Sequence, residues 1–214
     1  MSIKAIIFDL DGTLIDSSVD ITNALNYAME PYSLKRLTWE DTVKLVGEGI
    51  TRLIEKIAGN LDETGKADVA LRFITHYTEH VADYTREYPG VRETLESLVK
   101  YRKAVISNKR ESLSKLVLQE LGLLRYFSLV VGSDTTTERK PSPVPVLKAL
   151  TELQAEPCEA VMVGDSNFDV DAGKAAGVTT VAVTYGYRPR PVIAHADYLI
   201  DRMSDLLPLV EKMD

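Results

Sequence analysis

Four short segments of this 214-residue chain carry residue types able to do polar chemistry at close quarters. They are Asp9-Leu10-Asp11-Gly12-Thr13, Ser107-Asn108-Lys109, Arg139-Lys140-Pro141 and Gly164-Asp165-Ser166-Asn167-Phe168-Asp169. Carboxylates gathered at one place repel one another and raise each other's pKa unless a cation compensates. A hard divalent cation does this well. Mg2+ takes one or two carboxylates, keeps several waters and shares oxygens with a phosphate. Lys140, Ser107 and Asn108 would add positive charge and hydrogen-bond donors that suit a phosphoryl group. The residues therefore ask for a metal and a phosphate together, and leave open whether the phosphate is transferred, cleaved or only bound.

The chemistry requires that these segments meet, and the pattern between them says how. Short β-branched runs at residues 4–8, 103–107, 129–132, 160–164 and 179–183, with a weaker one at 198–200, read as buried strands. Helical stretches separate them at 91–101, 111–121, 144–154, 169–176 and 205–213. Such alternation predicts an α/β fold with a Rossmann-like parallel sheet and helices on both faces. Ligands of such sheets bind beyond the carboxyl ends of the strands, where the four segments fall.

After the first strand, about seventy residues read as helices only. Ser17 and Asp20 resemble a capping box, followed by a stripe of Ile21, Leu25 and Ala28. Thr38 with Asp41 opens a second helix, which Gly47-Glu48-Gly49 interrupts, and a third covers about 51–58. The longest is predicted over 66–87, with Ala67, Ala70, Ile74, Tyr77, Val81 and Tyr84 on one side. This predicts a small all-helical cap domain (16–87) inserted into a core made of 1–15 and 88–214, with hinges near 15–17 and 87–90.

The four segments, in order, resemble the motifs of the haloacid dehalogenase-like hydrolase superfamily, and the helical insertion resembles its cap. Val46-Gly47-Glu48-Gly49, Tyr88-Pro89-Gly90-Val91 and Lys140-Pro141-Ser142-Pro143 extend the similarity to its phosphoglycolate phosphatases. The resemblance implies a Mg2+-dependent hydrolase of a small phosphorylated metabolite, with 2-phosphoglycolate the best single candidate. It also implies that Asp9 attacks phosphorus to form an aspartyl-phosphate, and that Asp11 protonates the leaving group and then activates water. The metal would be held by Asp9, the Asp11 main-chain carbonyl, Asp165 and Asp169, the last as ligand or as anchor. Ser107, Asn108 and Lys140 would hold the phosphoryl oxygens, and Gly12 would let the backbone approach them. Gly47 would come down on the substrate from the cap, and Arg52 would meet a substrate carboxylate or remain solvated. A sugar phosphomutase or a pyrophosphatase of the same superfamily is the enzymatic alternative, and a non-catalytic phosphate- or protein-binding module is the alternative from another class.

Several residues have plainer readings. Asp169 could simply cap the helix after it. Lys109 either touches substrate or stays in water, and His76-Tyr77-Thr78-Glu79-His80 matches a zinc-protease pattern on a cap helix with little else to support it. Composition narrows the field further. The net charge of −7, with no run of five like charges, argues against nucleic acid as a partner. A single cysteine, Cys158, excludes an internal disulfide and any multi-cysteine zinc site. The apolar run before Asp9 is too short for a signal peptide, and no stretch is long enough to span a membrane. A cytoplasmic monomer or homodimer is expected.

Overall fold

The structure, a computed structural model, describes residues 2–214. Strand β1 (Ala5–Phe8) is followed by β2 (Ile15–Asp16), then by helices α1 (Ser18–Met29), α2 (Trp39–Leu45), α3 (Ile50–Ile57) and α4 (Glu63–Glu79). Next come β3 (Arg86–Glu87), α5 (Val91–Ser97), β4 (Arg102–Ile106), α6 (Glu111–Glu120), β5 (Leu129–Val131) and α7 (Val144–Leu153). The chain ends with β6 (Ala160–Gly164), α8 (Asn167–Ala176), β7 (Thr179–Val183), α9 (Arg190–Ile193), β8 (Tyr198–Ile200) and α10 (Leu206–Glu211).

Six strands form one sheet in the order β5-β4-β1-β6-β7-β8, and every pairing is parallel. All four residues of β1 are buried, as a strand covered on both faces must be. Ile6, Phe8, Val105 and Val163 pack on one face with Leu95, Val117 and Val210 of α5, α6 and α10. Ala5, Ile7, Ala104 and Met162 pack on the other with Val146 and Leu150 of α7 and Ala172 of α8. Strand β1 sits between β4 and β6, so chain order reverses beside it, and a crevice opens beyond the carboxyl ends of these three strands.

The sequence expectation for the insertion needs two corrections. It is not helical throughout: Ile15–Asp16 pairs antiparallel with Arg86–Glu87, joining its entry and exit in a two-stranded ribbon. The last helix also stops at Glu79 instead of continuing to residue 87. The cause lies in Asp20, which is 2% exposed. Its carboxylate accepts the main-chain N–H groups of Tyr84 (3.0 Å) and Thr85 (2.8 Å) and the Thr85 hydroxyl (2.7 Å). A buried carboxylate that captures these donors outcompetes another helical turn. Asp20 is thus unavailable as a capping partner for Ser17, whose hydroxyl donates instead to Asp11 (2.5 Å). Thr38 and Asp41 do open a helix, α2, and form a capping box at its start. Among the described residues no helix is long and apolar enough to cross a membrane.

Replacing Asp20 by alanine strands two backbone donors at the exit of the insertion. Asp20→Ala should cost about 2–3 kcal/mol of unfolding free energy in urea titrations, and Asp20→Asn should cost less because one acceptor remains. Equal stability of both variants and the parent would show that the carboxylate does not hold this turn.

Candidate active site

The end of β1 prepares the site. Asp9 N–H donates to Val163 O (2.8 Å), prolonging the ladder by one step, and the chain then folds back on itself as Leu14 N–H returns to Leu10 O (2.9 Å). Gly12 takes φ +89°, and a Cβ there would collide with the Asp165 carboxylate. Glycine is required by that close approach and by the left-handed backbone. The space that the missing Cβ leaves is filled by the Asp165 carboxylate.

Lys140 is delivered by the segment between β5 and α7 and is 3% exposed. Its ammonium lies 2.5 Å from Asp9 Oδ1 and 2.6 Å from Asp169 Oδ1, and donates to Ile106 O (2.8 Å). Burial by itself would push this ammonium's pKa down, but Asp169 and Asp9 together outweigh it and hold it above its usual value. Asp169 also accepts the Ser166 N–H (3.0 Å) and hydroxyl (2.6 Å), completing a capping box at the start of α8. Both readings of Asp169 therefore meet in one side chain, which caps a helix and lies in the carboxylate cluster.

Asp9, Asp165 and Asp169 each place an oxygen within 4.8 Å of the others. Burial, then the neighbouring Asp169, pushes the Asp9 carboxyl up to about 7 against the pull of Lys140. Burial, Asp169 and Asp9 likewise raise Asp165 well above the usual carboxylate range. Three buried carboxylates facing one ammonium leave surplus negative charge. Among the described residues Asp9 Oδ2 and Asp165 Oδ1 accept no hydrogen bond, whereas both Asp169 oxygens are engaged. This donor set fits a hard cation, with Asp9 and Asp165 the residues best placed to hold it and Asp169 as the anchor of Lys140.

Asp11 points the other way. Its Oδ1 accepts from Ser17 Oγ (2.5 Å) and from Lys109 Nζ (2.6 Å). Lys109 is no solvated surface lysine. Its ammonium bonds the Tyr77 hydroxyl of α4 (2.9 Å) and lies 4.9 Å from the centre of the Tyr77 ring. Asp11 is thereby held by a core lysine, a linker serine and, through the lysine, an insertion tyrosine. The sequence pattern read Tyr77 as one member of an apolar stripe and Ser17 as a cap, so neither was marked for the site.

The cavity is lined by Asp9, Asp11, Ser107, Asn108, Lys140 and Asp165 from the core and by Val46, Gly47, Gly49 and Ile50 from the insertion. The Asn108 amide donates to Gly47 O (2.7 Å) and Lys140 O (2.9 Å), and Ser107 Oγ accepts the Lys109 N–H (3.1 Å). About 70 Å³ remains in which the centre of a water molecule can lie, room for a few waters only. Arg52 is not part of it. Its guanidinium is largely solvent-exposed and pairs with Glu55 (2.8 Å), because residue 52 lies on the outer face of the short helix α3. Arg110, Phe168, Tyr187 and Arg188 also line the cavity. The rule that locates sites beyond strand ends could have flagged the last two, which follow β7.

The model of one family, described as haloacid dehalogenase-like hydrolase, matches residues 6–183 of the chain. The chain belongs to this family. Its six-stranded parallel sheet, with helices on both faces, is the fold of these hydrolases. Similar family members include the phosphoglycolate phosphatase of Aquifex aeolicus (strain VF5), 41% identical over 210 residues covering 97% of each chain. That of Chromobacterium violaceum is 40% identical over 217 residues, covering 98% of this chain and 97% of its own. Among solved structures, a predicted phosphoglycolate phosphatase from Haemophilus somnus 129PT superimposes with a TM-score of 0.90 at 29% identity, covering 98% of both chains.

Metal affinity of this hydrolase should depend on pH in a direction set by the raised carboxyl groups. A folded-state pKa above the unfolded value means that the metal-free protein binds the extra proton and loses that stability as pH rises from about 4 to 7. A cation competes with that proton. Added Mg2+ should therefore raise the melting temperature more at pH 8 than at pH 5.5, and equal shifts at both values would count against the cluster as the binding site.

Proposed function

We propose that this hydrolase is a Mg2+-dependent phosphatase that cleaves a small phosphate monoester through a phosphorylated Asp9, with 2-phosphoglycolate as its first candidate substrate. The observation that carries the reading is the buried Asp9–Lys140–Asp169 triad with Asp165 beside it, at the closed end of a small cavity. Phosphoglycolate is suggested by the names of relatives that match along nearly their whole length. Residues 1–15 and 88–214 would form the catalytic core and 16–87 the cap, articulated at the β2–β3 ribbon. The same reading puts the protein in the cytoplasm, a reducing compartment that suits its one cysteine, the free and exposed Cys158.

In this mechanism Lys140 fixes the Asp9 carboxylate through Oδ1, and one of the two Asp9 oxygens attacks phosphorus. The new Asp9–phosphorus bond forms as the ester oxygen departs, and Asp11 supplies that oxygen with a proton. Asp11 then takes a proton from the water that attacks the phosphorylated Asp9, freeing phosphate and restoring the carboxylate. Lys109 and Ser17 keep the Asp11 carboxyl aimed at the leaving group. Ser107 and Lys140 would contact the phosphoryl oxygens. Mg2+ bound at Asp9 and Asp165 would offset the negative charge of both the carboxylates and the phosphoryl group.

A substrate carboxylate needs a cation with no internal partner. Lys140 and Lys109 are engaged by aspartates, and Arg188 by main-chain carbonyls. Arg110 lines the cavity and, among the described residues, makes no ion pair. It replaces Arg52 as the candidate for reading the acidic tail.

The reading is tested by hydrolysis of p-nitrophenyl phosphate with and without Mg2+, followed by a kcat/KM panel of phosphoglycolate, sugar phosphates, nucleoside monophosphates and pyrophosphate. Metal-dependent release with phosphoglycolate leading supports it, and no metal-dependent release would favour a binding module. Asp9→Asn should lower kcat by about four orders of magnitude or more, and Asp11→Asn by about 10²–10⁴ with metal binding retained. Arg110→Ala should raise KM for phosphoglycolate about tenfold while leaving that for p-nitrophenyl phosphate nearly unchanged. Equal effects on both substrates would remove Arg110 from tail recognition.

A further inference from the structure

The residues after β7 belong to none of the four motif segments, yet they touch three parts of the site at once. Tyr187 N–H donates to Asp165 Oδ2 (2.6 Å). The Tyr187 hydroxyl donates to Asp16 Oδ1 (3.0 Å) and accepts the Ser17 N–H (3.0 Å), both in the linker that enters the insertion. The neighbouring Arg188 reaches across the cavity mouth. Its guanidinium donates to Val43 O (2.6 Å) and to Val46 O, at the end of α2 and the start of the loop to α3.

The chemistry of that contact is specific. The last carbonyls of a helix have no intrahelical donors and sit at the negative end of its dipole, so a planar guanidinium with two parallel N–H groups suits them. The next carbonyl of the loop, Gly47 O, is taken by the Asn108 amide (2.7 Å). A Cβ added at Gly49 would lie 2.9 Å from Asn108 O, so the loop rests on the core backbone itself. Core side chains thus hold one carbonyl of the last turn of α2 and two of the loop that follows it. That loop supplies Val46, Gly47 and Gly49 to the cavity wall.

We propose that Arg188 is a latch: a positioning residue that holds the loop between α2 and α3 closed over the carboxylates, joined through Tyr187 to Asp165 and to the entry linker. Opening the insertion breaks the two Arg188 bonds, and the same strained step loads the peptide that fixes Asp165. Closure of the wall and placement of that carboxylate are then one event. A latch of this kind keeps bulk water from the phosphoryl group and presses the loop onto the leaving group. Arg188 touches no reacting atom; it acts through the loop and through its neighbour.

Hydrogen exchange on the substrate-free protein tests the latch without relying on any substrate. In Arg188→Ala the amides of residues 42–49 should exchange about tenfold faster, while those of β1, β4 and β6 keep their protection. Unchanged exchange at 42–49 would overturn the proposal. Arg188→Lys keeps the charge near Asp165 but lacks the planar fork for two carbonyls, and it should show a smaller acceleration in the same segment. This variant decides the matter if the alanine variant does not fold, since wild-type exchange in it overturns the latch. The kinetic arm does rest on the phosphatase reading. For a small phosphate ester, Arg188→Ala should raise KM and lower kcat together, with kcat/KM falling about a hundredfold, and partial recovery is expected in Arg188→Lys. Unchanged kcat and KM in Arg188→Ala would overturn the latch. Because exchange needs no turnover, failure of the latch and failure of the phosphatase assignment are separately visible.

Discussion

The burial of three carboxylates around one ammonium is the constraint from which the rest of the site follows. Lys140 lies 2.5 Å from Asp9 and 2.6 Å from Asp169, in a place that water scarcely reaches. Such a cluster is costly to assemble, because each carboxylate gives up its hydration and one ammonium answers only part of the charge. The fold bears that cost by fixing each member from a different element. Asp9 ends β1, Lys140 precedes α7, Asp165 follows β6 and Asp169 caps α8. The surplus charge makes the site receptive to a cation, and the raised carboxyl groups are its signature in the metal-free molecule.

A second network handles the other aspartate of the first motif, with a different logic. Asp11 is turned from the cluster and held by Lys109 and Ser17, while Lys109 is itself held by Tyr77 from the insertion. In the proposed reaction one aspartate stays fixed for attack and the other moves protons, and the two pull apart because adjacent-but-one side chains of an extended segment face different neighbours. The Asp11 network crosses from core to insertion, and the Tyr187–Arg188 segment makes a second crossing that meets the first at Ser17. The cavity walls and its charged groups are therefore linked through shared hydrogen bonds.

Much of the sheet was legible because its strands are short, β-branched and buried on both faces, so that little but a parallel strand suits them. The runs at 160–164 and 179–183 coincide with β6 and β7. The insertion was harder to read. Residues 80–87 keep an apolar spacing that suits a helix, but Asp20, more than sixty positions away, captures their backbone donors. Ser17 matched a capping pattern, but its N–H goes to the Tyr187 hydroxyl and its own hydroxyl donates to Asp11. Arg52 carried the charge wanted for a substrate carboxylate, yet its helix turns it to solvent, whereas Arg110 lines the cavity. For residues 80–87 and for Ser17, a local signal lost to a partner that sequence spacing does not announce.

By itself, the order of residues determined which chemical groups exist and at which strand ends they emerge, because strand periodicity and turn chemistry are local properties. It was enough to anticipate a parallel sheet with Asp9, Lys140, Asp165 and Asp169 on one rim. Only the tertiary structure decided how those groups divide among partners: Lys140 to Asp9 and Asp169, Lys109 to Asp11 and Tyr77, Arg188 to the loop after α2. The physical reason is that hydrogen bonds and ion pairs form over a few ångströms in space, and the distances that set them arise from packing between elements far apart along the chain.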